Sequence, residues 1–465
     1  MQYISTRGTA PAVSFTTAIT QGLAPDGGLY VPVNWPRLPS SVLKAAASAP
    51  YFETAASVLH AFAGDDLDTQ TTLELAKAAY GDTWSHKDIV PLRKIGNQLH
   101  LLELFHGPSL AFKDVAMQLI AALYEHLLEK SCAKLSVICA TSGDTGGAAV
   151  EALKNKKGVT LFVMLPDGRV SEVQKRFMTA SGAQNVHSLV LDGDFDKAQA
   201  ILKNLFSDKA FVEEVKLTPV NSVNFARIVA QSVYFITASA KLGDVQPLNF
   251  IVPTGNFGDA FSAWVAKKMG ANIGKIIIAN NANNGISKSL ETGRFGGGEH
   301  SIATISPAMD IQVASNFERI LYELSDGDAA QKAFSVNQAY GALRAQKYYD
   351  IDANCLKALR RDFVACHVDD NETSKAMLEC FKQTGEVICP HTAVGWAAKN
   401  IAGEGEKVIL ATAHAAKFPE TVSEVLGIMP ALPAQAADLF DRPEHFEKMK
   451  ASEANLKSYI RSKAK

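Results

Sequence analysis

From about residue 90 onward, short apolar runs alternate with longer segments whose apolar positions recur at helical spacing. This is the pattern of an α/β fold built on a largely parallel sheet. Strands are expected over 99–105, 135–140, 159–165, 186–191, 248–253, 275–280 and 407–412. The spacing Phe112, Ala116, Leu119, Ile120, Leu123, Leu127 predicts the buried face of a long helix, with Gly107-Pro108 as a turn and Ser109 as its N-cap. Further helices are expected from near Ala148, up to Phe206, over 221–242, over 260–268 and over 316–323. Helical spacing returns between 336 and 383, while the Gly- and Ser-rich stretch 285–309 reads as an irregular insertion.

Before residue 90 the pattern is different: a short strand at 3–6, a turn-rich stretch over 22–32, and helical spacing within 41–63 and 71–80. The chain therefore divides into a leading unit (1–90), an α/β region (91–430) and a tail (431–465) with proline breaks and a charged, solvated closing helix. A length of 465 residues agrees with two or three domains.

A formal net charge of -2 gives no bulk attraction to nucleic acid or anionic membranes, so any bound anion must be held locally. The cysteines at 132, 139, 355, 366, 380 and 389 form no Cys-x-x-Cys pair, which points away from zinc and disulfides and towards reduced thiols. The amino terminus lacks the order of a secretory signal, and no apolar run reaches membrane-spanning length. The expectation is a cytoplasmic protein with no nucleic-acid, membrane or obligatory protein partner and no metal.

Lys113 is the unusual residue. In the first turn of its helix a cation is penalised by about 0.3–1 kcal/mol, and Leu110, Ala111 and Phe112 add desolvation if that turn is buried. Both effects lower its pKa, and a partly neutral lysine is what imine formation with an aldehyde needs. Two strand-to-helix junctions, Thr141-Ser142-Gly143-Asp144-Thr145-Gly146-Gly147 and Thr254-Gly255-Asn256-Phe257-Gly258-Asp259, can hold anions on converging backbone N–H groups. Neither is a dinucleotide fingerprint nor a P-loop. Each alone also reads as a plain connection. Arg227, close to the start of the helix after Asn221-Ser222-Val223-Asn224, is a second cation opposed by a helix dipole unless an anion sits between them. Several anion cradles and one activatable lysine fit pyridoxal 5'-phosphate on Lys113 together with an amino acid whose side chain bears phosphate.

The segments His106-Gly107-Pro108-Ser109-Leu110-Ala111-Phe112-Lys113-Asp114, Thr141-Ser142-Gly143-Asp144-Thr145-Gly146, Asn221-Ser222-Val223-Asn224-Phe225-Ala226-Arg227, Pro253-Thr254-Gly255-Asn256-Phe257-Gly258-Asp259 and Ser306-Pro307-Ala308-Met309-Asp310-Ile311-Gln312 resemble threonine synthases of the longer, bacterial and fungal type. The resemblance runs from Tyr3 to Ala411-Thr412-Ala413-His414. It implies a fold-type II pyridoxal-phosphate enzyme related to the tryptophan synthase β chain, with a smaller α/β domain, roughly 114–220, inserted in a larger one. The implied activity is conversion of O-phospho-L-homoserine and water to L-threonine and phosphate by γ-elimination and β-addition, the last step of threonine biosynthesis.

By the same resemblance, Lys113 carries the cofactor, Gly255, Asn256, Phe257, Gly258 and Asp259 surround its phosphate, and Thr412 faces its pyridine nitrogen. Thr141, Ser142 and Asp144 form the loop for the substrate carboxylate, Asp144 also neighbouring the cofactor 3'-hydroxyl. Thr145, Ser222 and Arg227 hold the substrate phosphate. Asp144 stands where many fold-type II relatives have Asn, and Phe112 where shorter relatives have a second lysine. The competing implication is a fold-type II phospholyase or a threonine/serine deaminase that releases ammonia. His391 and His414 are candidate proton carriers that read equally well as structural histidines.

Overall fold

The apolar runs expected as strands lie in two sheets in the computed structural model, which describes residues 1–131, 133–141, 143–168, 170–193, 195–243, 246–297 and 300–464. The larger sheet has the order Phe363–His367, Ile273–Asn280, Leu248–Pro253, Lys407–Ala411, Leu99–Glu103, Leu92–Gly96. All its pairings are parallel except the last, a hairpin. Leu248–Pro253 is buried throughout, as expected of a central parallel strand covered by helices on both faces.

The smaller sheet, wholly parallel, has the order Glu447–Lys450, Val186–Asp192, Val159–Pro166, Leu135–Ala140, Leu217–Pro219. An antiparallel sheet of Val13–Ser14, Gln2–Ser5 and Tyr30–Pro32 opens the chain. Its Tyr3 packs edge-on against Phe225, 5.1 Å between ring centroids, at the start of helix Phe225–Leu242. The leading unit is also pinned by Arg7, whose guanidinium meets the buried Glu318 at 2.8 Å.

Five expectations need correction. Ser109 is not an N-cap: the helix is Lys113–Ser131, and Ser109 instead donates its Oγ–H to Asp114 Oδ1 (2.6 Å) and its N–H to Asp114 Oδ2 (2.8 Å). The helix expected from Ala148 spans Asp144–Leu153, so the glycine loop ends inside its first turn. The stretch 285–309 contains helix Gly285–Thr292 and strand Arg294–Gly296. Helical spacing between 336 and 383 hid the edge strand Phe363–His367, which adds to Ile276–Asn280 in register.

The tail is not merely a solvated helix. Strand Glu447–Lys450 pairs with Leu189–Asp192, and helix Glu453–Lys463 buries Leu456 and Ile460 in the core beneath the smaller sheet. Burying two such aliphatic side chains is worth roughly 1.5–3 kcal/mol each. Removing residues 446–465 should therefore destabilise the protein by several kcal/mol and expose Val186–Asp192 as an unprotected edge, read as an earlier thermal transition with aggregation. An unchanged transition would show that the tail contributes no packing.

Candidate active site

A cavity of about 580 Å³ opens at the carboxyl ends of strands from both parallel sheets, where open α/β folds bind their ligands. Strand Leu99–Glu103 leads to the Lys113 loop, Leu248–Pro253 to residues 254–258, and Lys407–Ala411 to Thr412. From the smaller sheet, Leu135–Ala140 delivers Thr141 and Asp144, while Leu217–Pro219 delivers Asn221 and Ser222. Twelve predicted site residues line this one space: Lys113, Thr141, Asp144, Thr145, Ser222, Arg227, Gly255, Asn256, Phe257, Gly258, Asp259 and Thr412. Ser142 falls outside the described residues.

The lysine loop is stitched to the strand beside it. Phe112 N–H donates to Thr412 O (2.8 Å), His414 N–H to Leu110 O (3.0 Å), and Ala111 bridges Ala413. Leu110 is forced to φ 62°, an unusual conformation for a bulky residue, of the sort that costs about 1–3 kcal/mol and clusters at functional sites. Its side chain is wholly buried against Val173, Phe177 and Leu439, which repays the strain. Lys113 then starts its helix with its amine facing the cavity. Burial lowers its pKa, Asp144 pulls it back up, and Arg227 and Lys417 lower it further.

Asp144, at the first turn of its own helix, sits 3.5 Å from Lys113 Nζ through Oδ2. Its Oδ1 accepts from Lys417 Nζ at 2.9 Å and from Gln174 Nε2 at 3.0 Å. Burial alone would raise its pKa, but Lys417, Lys113 and His391 hold it well below the usual carboxylate range. Thr141 does more local work than expected: its Oγ accepts from Gly143 N (2.9 Å) and Gly146 N (3.0 Å), fixing the loop and leaving only its own O–H to offer a ligand.

The opposite loop is built around Phe257, at φ 63°, whose ring packs on Phe317 and Phe363. A side chain at Gly255 would meet Met309 Cα at 3.0 Å and Ala308 O at 3.2 Å, so only glycine leaves this backbone open beside the segment 306–311. Asn256 holds the cradle together: its amide donates to Ser222 Oγ, and its Oδ1 accepts from Ser315 N at 2.7 Å. The N–H groups at the start of helix Gly258–Met269 open here, as anion sites require.

Two charged groups are left without full partners. Arg227 is 3% exposed, its Nε has no hydrogen bond, and no carboxylate among the described residues forms an ion pair with it. Burial pulls its pKa down to about 10. Asp259 accepts from Tyr234 OH on one oxygen, while the other is buried and unpartnered, and burial pushes its pKa up to about 7. The Thr412 hydroxyl makes no hydrogen bond with any described residue although the residue is 5% exposed. A buried amine, a glycine-cleared backbone cradle and a hydroxyl unpaired among the described residues fit a phosphorylated pyridine aldehyde, so the residues present suit pyridoxal phosphate, and Arg227 is left for a second anion.

Sequence reasoning missed Lys417 and Gln174. The only signal for Lys417 was a lysine between Ala415-Ala416 and Phe418-Pro419. It also missed Arg319, wholly buried, whose Nε donates to Tyr30 O (3.0 Å) and Nη2 to Val223 O (2.6 Å), tying the leading unit to the Ser222 loop. Of the two histidines, His391 lines the cavity, its Nε2 accepting from Ala308 N at 3.1 Å, and burial lowers its pKa to about 4. His414 instead turns its ring inward to accept from Ala416 N, a structural role.

Family models place this geometry among known proteins. Residues 2–80 match the threonine synthase N terminus, 88–412 the pyridoxal-phosphate dependent enzymes, and 392–460 the threonine synthase C-terminal region. The threonine synthase of Pseudomonas aeruginosa is 38% identical over 99% of this chain and 98% of its own. The pyridoxal-phosphate-bound threonine synthase from Brucella melitensis superimposes with a TM-score of 0.95 at 40% identity, covering 100% of both chains. The yeast threonine synthase gives 0.93 at 32% identity, over 99% of this chain and 98% of its own. With its fold and its whole length matched in this way, the chain belongs to the threonine synthase family of pyridoxal-phosphate enzymes of fold type II.

Proposed function

We propose that this protein converts O-phospho-L-homoserine and water into L-threonine and phosphate, with pyridoxal phosphate held on Lys113. One observation carries the reading beyond the family: the cavity wall that holds the buried amine also holds Arg227, a buried guanidinium with no acidic partner among the described residues. A phosphate at the far end of an amino-acid substrate would supply that partner.

When bound, the cofactor supplies an electron sink for the charge that develops as protons leave the substrate carbons. The chain's own residues do the rest. Lys113, its pKa lowered by burial, removes the proton from Cα and returns protons later in the sequence. Loss of a proton from Cβ expels phosphate from Cγ, where Arg227, Ser222 and Thr145 receive the departing dianion, and protonation at Cγ followed by addition of water at Cβ gives threonine. Thr141 and the loop it fixes would receive the substrate carboxylate, and the backbone of 255–258 with Asp259 would surround the cofactor phosphate. Thr412 would offer its hydroxyl to the pyridine nitrogen, and a hydroxyl partner would leave that nitrogen less protonated than a carboxylate would. The 306–311 segment, anchored by Ala308 N–H on His391, walls the cavity and limits water.

No helix among the described residues is long and apolar enough to cross a membrane, which suits a cytoplasmic enzyme acting alone on a small substrate. The test is to supply phosphohomoserine to the purified protein and quantify phosphate, threonine and ammonia together. Equal phosphate and threonine are expected; ammonia in place of threonine would identify an eliminating lyase instead.

A further inference from the structure

Lys417 is a fully buried lysine that none of the proposed steps uses. It stands at the end of the turn Ala415–Lys417, just beyond Thr412, where three elements converge. Its Nζ donates to Ser109 O at 2.7 Å, pairs with Asp144 Oδ1 at 2.9 Å and faces the Phe177 ring at 5.3 Å from its centre. The second oxygen of the same carboxylate is the one beside Lys113, at the longer distance of 3.5 Å. Asp144 is thus shared unequally, with its tighter pairing directed away from Lys113.

We propose that Lys417 is a positioning residue for the reaction: it claims Asp144 as its own counter-ion, so that Lys113 keeps an oriented carboxylate beside it without being locked in a full ion pair. This inference rests on Lys113 carrying the cofactor.

The physics is a competition of charges. A lone buried carboxylate beside Lys113 would hold a proton on its amine strongly, because Coulomb energies grow as the dielectric falls. With a dedicated ammonium on Oδ1, Asp144 presents Lys113 with a dipole rather than a net charge. The other groups facing Lys113 are Arg227, which also opposes protonation, and His391 and Cys139, which are neutral at pH 7 because burial lowers the first and raises the second. The orientation is rigid: Gln174 Nε2 also grips Oδ1, and Gln174 itself closes a capping box with Ser171, whose Oγ–H donates to Lys417 O at 2.8 Å. The carboxylate, the lysine and the residues that aim them form one connected network.

A purely structural ion pair would affect folding and leave the proton affinity at Lys113 alone, so the test reads that affinity directly. In the full-length holoenzyme, the visible band of the bound cofactor is titrated against pH in wild type, Lys417→Gln, Lys417→Arg and Asp144→Asn. Removing the cation should raise the titration midpoint by about one pH unit and removing the anion should lower it by a similar amount. Lys417→Arg, which keeps the charge, should restore the wild-type midpoint to within a few tenths. At pH 7, Lys417→Gln should lose up to about tenfold in kcat with KM changed less than about twofold.

Midpoints that coincide in all four proteins would overturn the proposal while leaving the cofactor on Lys113. Asp144→Asn keeps the question open to refutation should Lys417→Gln not fold, since an unmoved midpoint there has the same meaning. A wild-type band that borohydride does not fix onto Lys113 would overturn the cofactor assignment, and the proposal with it.

Discussion

Lys113→Ala is expected to reduce threonine formation by roughly 10⁴-fold or more while leaving the fold intact. Proton transfers by a positioned side chain are each worth roughly 10² to 10⁴ in rate, and the proposed function gives Lys113 more than one of them besides anchoring the cofactor. The fold should survive because Asp144 keeps Lys417 at 2.9 Å and Gln174 at 3.0 Å, so no buried charge is orphaned. Turnover, borohydride-trapped cofactor and thermal unfolding measured on the same preparation decide the matter. An alanine variant with more than a few per cent of wild-type turnover would remove Lys113 from the centre of the chemistry.

Arg227→Met should have the second largest effect, and in two directions at once. The guanidinium is buried without an acidic partner among the described residues, and burial pulls its pKa down to about 10, below the ordinary arginine range. A cation whose folded pKa lies below its unfolded one destabilises the fold at every pH where it is charged, and the penalty disappears only as the pH rises above about 10. An unbranched apolar side chain of similar length should therefore stabilise the ligand-free protein by about 1–2 kcal/mol, seen as a higher Tm.

Activity should move the other way. Hydrogen bonds to charged groups are worth roughly 1.5–3 kcal/mol each, so losing a forked pair to phosphate should lower kcat/KM for phosphohomoserine by about 10² to 10⁴. Cofactor affinity should change little. If the cofactor loosened while substrate binding held, the two phosphate sites would be assigned the wrong way round. A lower Tm would mean that Arg227 is compensated by a group the geometry does not reveal.

That Lys113 and both glycine loops would share one site could be read from the sequence because the signal is local: a cation at a helix start and glycines after an apolar run announce themselves within a few residues. Boundaries were less legible. Ser109 had the identity of an N-cap, but Gly107, whose close approach to Asp114 admits no side chain, let the carboxylate fold back on it and delayed the helix to Lys113. Phe363–His367 carries one β-branched residue, and Leu359 and Phe363 continue the spacing of helix Ala353–Asp362, so the strand appears only when Ile273–Asn280 is there to pair with it. Lys417 was invisible for a different reason. Nothing within ten residues of it predicts that a lysine would be fully buried, because its partner Asp144 and its carbonyl acceptor Ser109 are both some 270 or more positions earlier. Charge pairing over that separation belongs to tertiary structure alone.

The strand order also bears on how the chain is made. Strands Leu135–Ala140, Val159–Pro166 and Val186–Asp192 are neighbours in space and in time, and can pair while the ribosome is still working. Leu99–Glu103, by contrast, emerges early and must wait for Lys407–Ala411 before its parallel neighbour exists, and Val186–Asp192 keeps an open flank until Glu447–Lys450 arrives. Vectorial synthesis therefore leaves two apolar edges uncovered for most of translation.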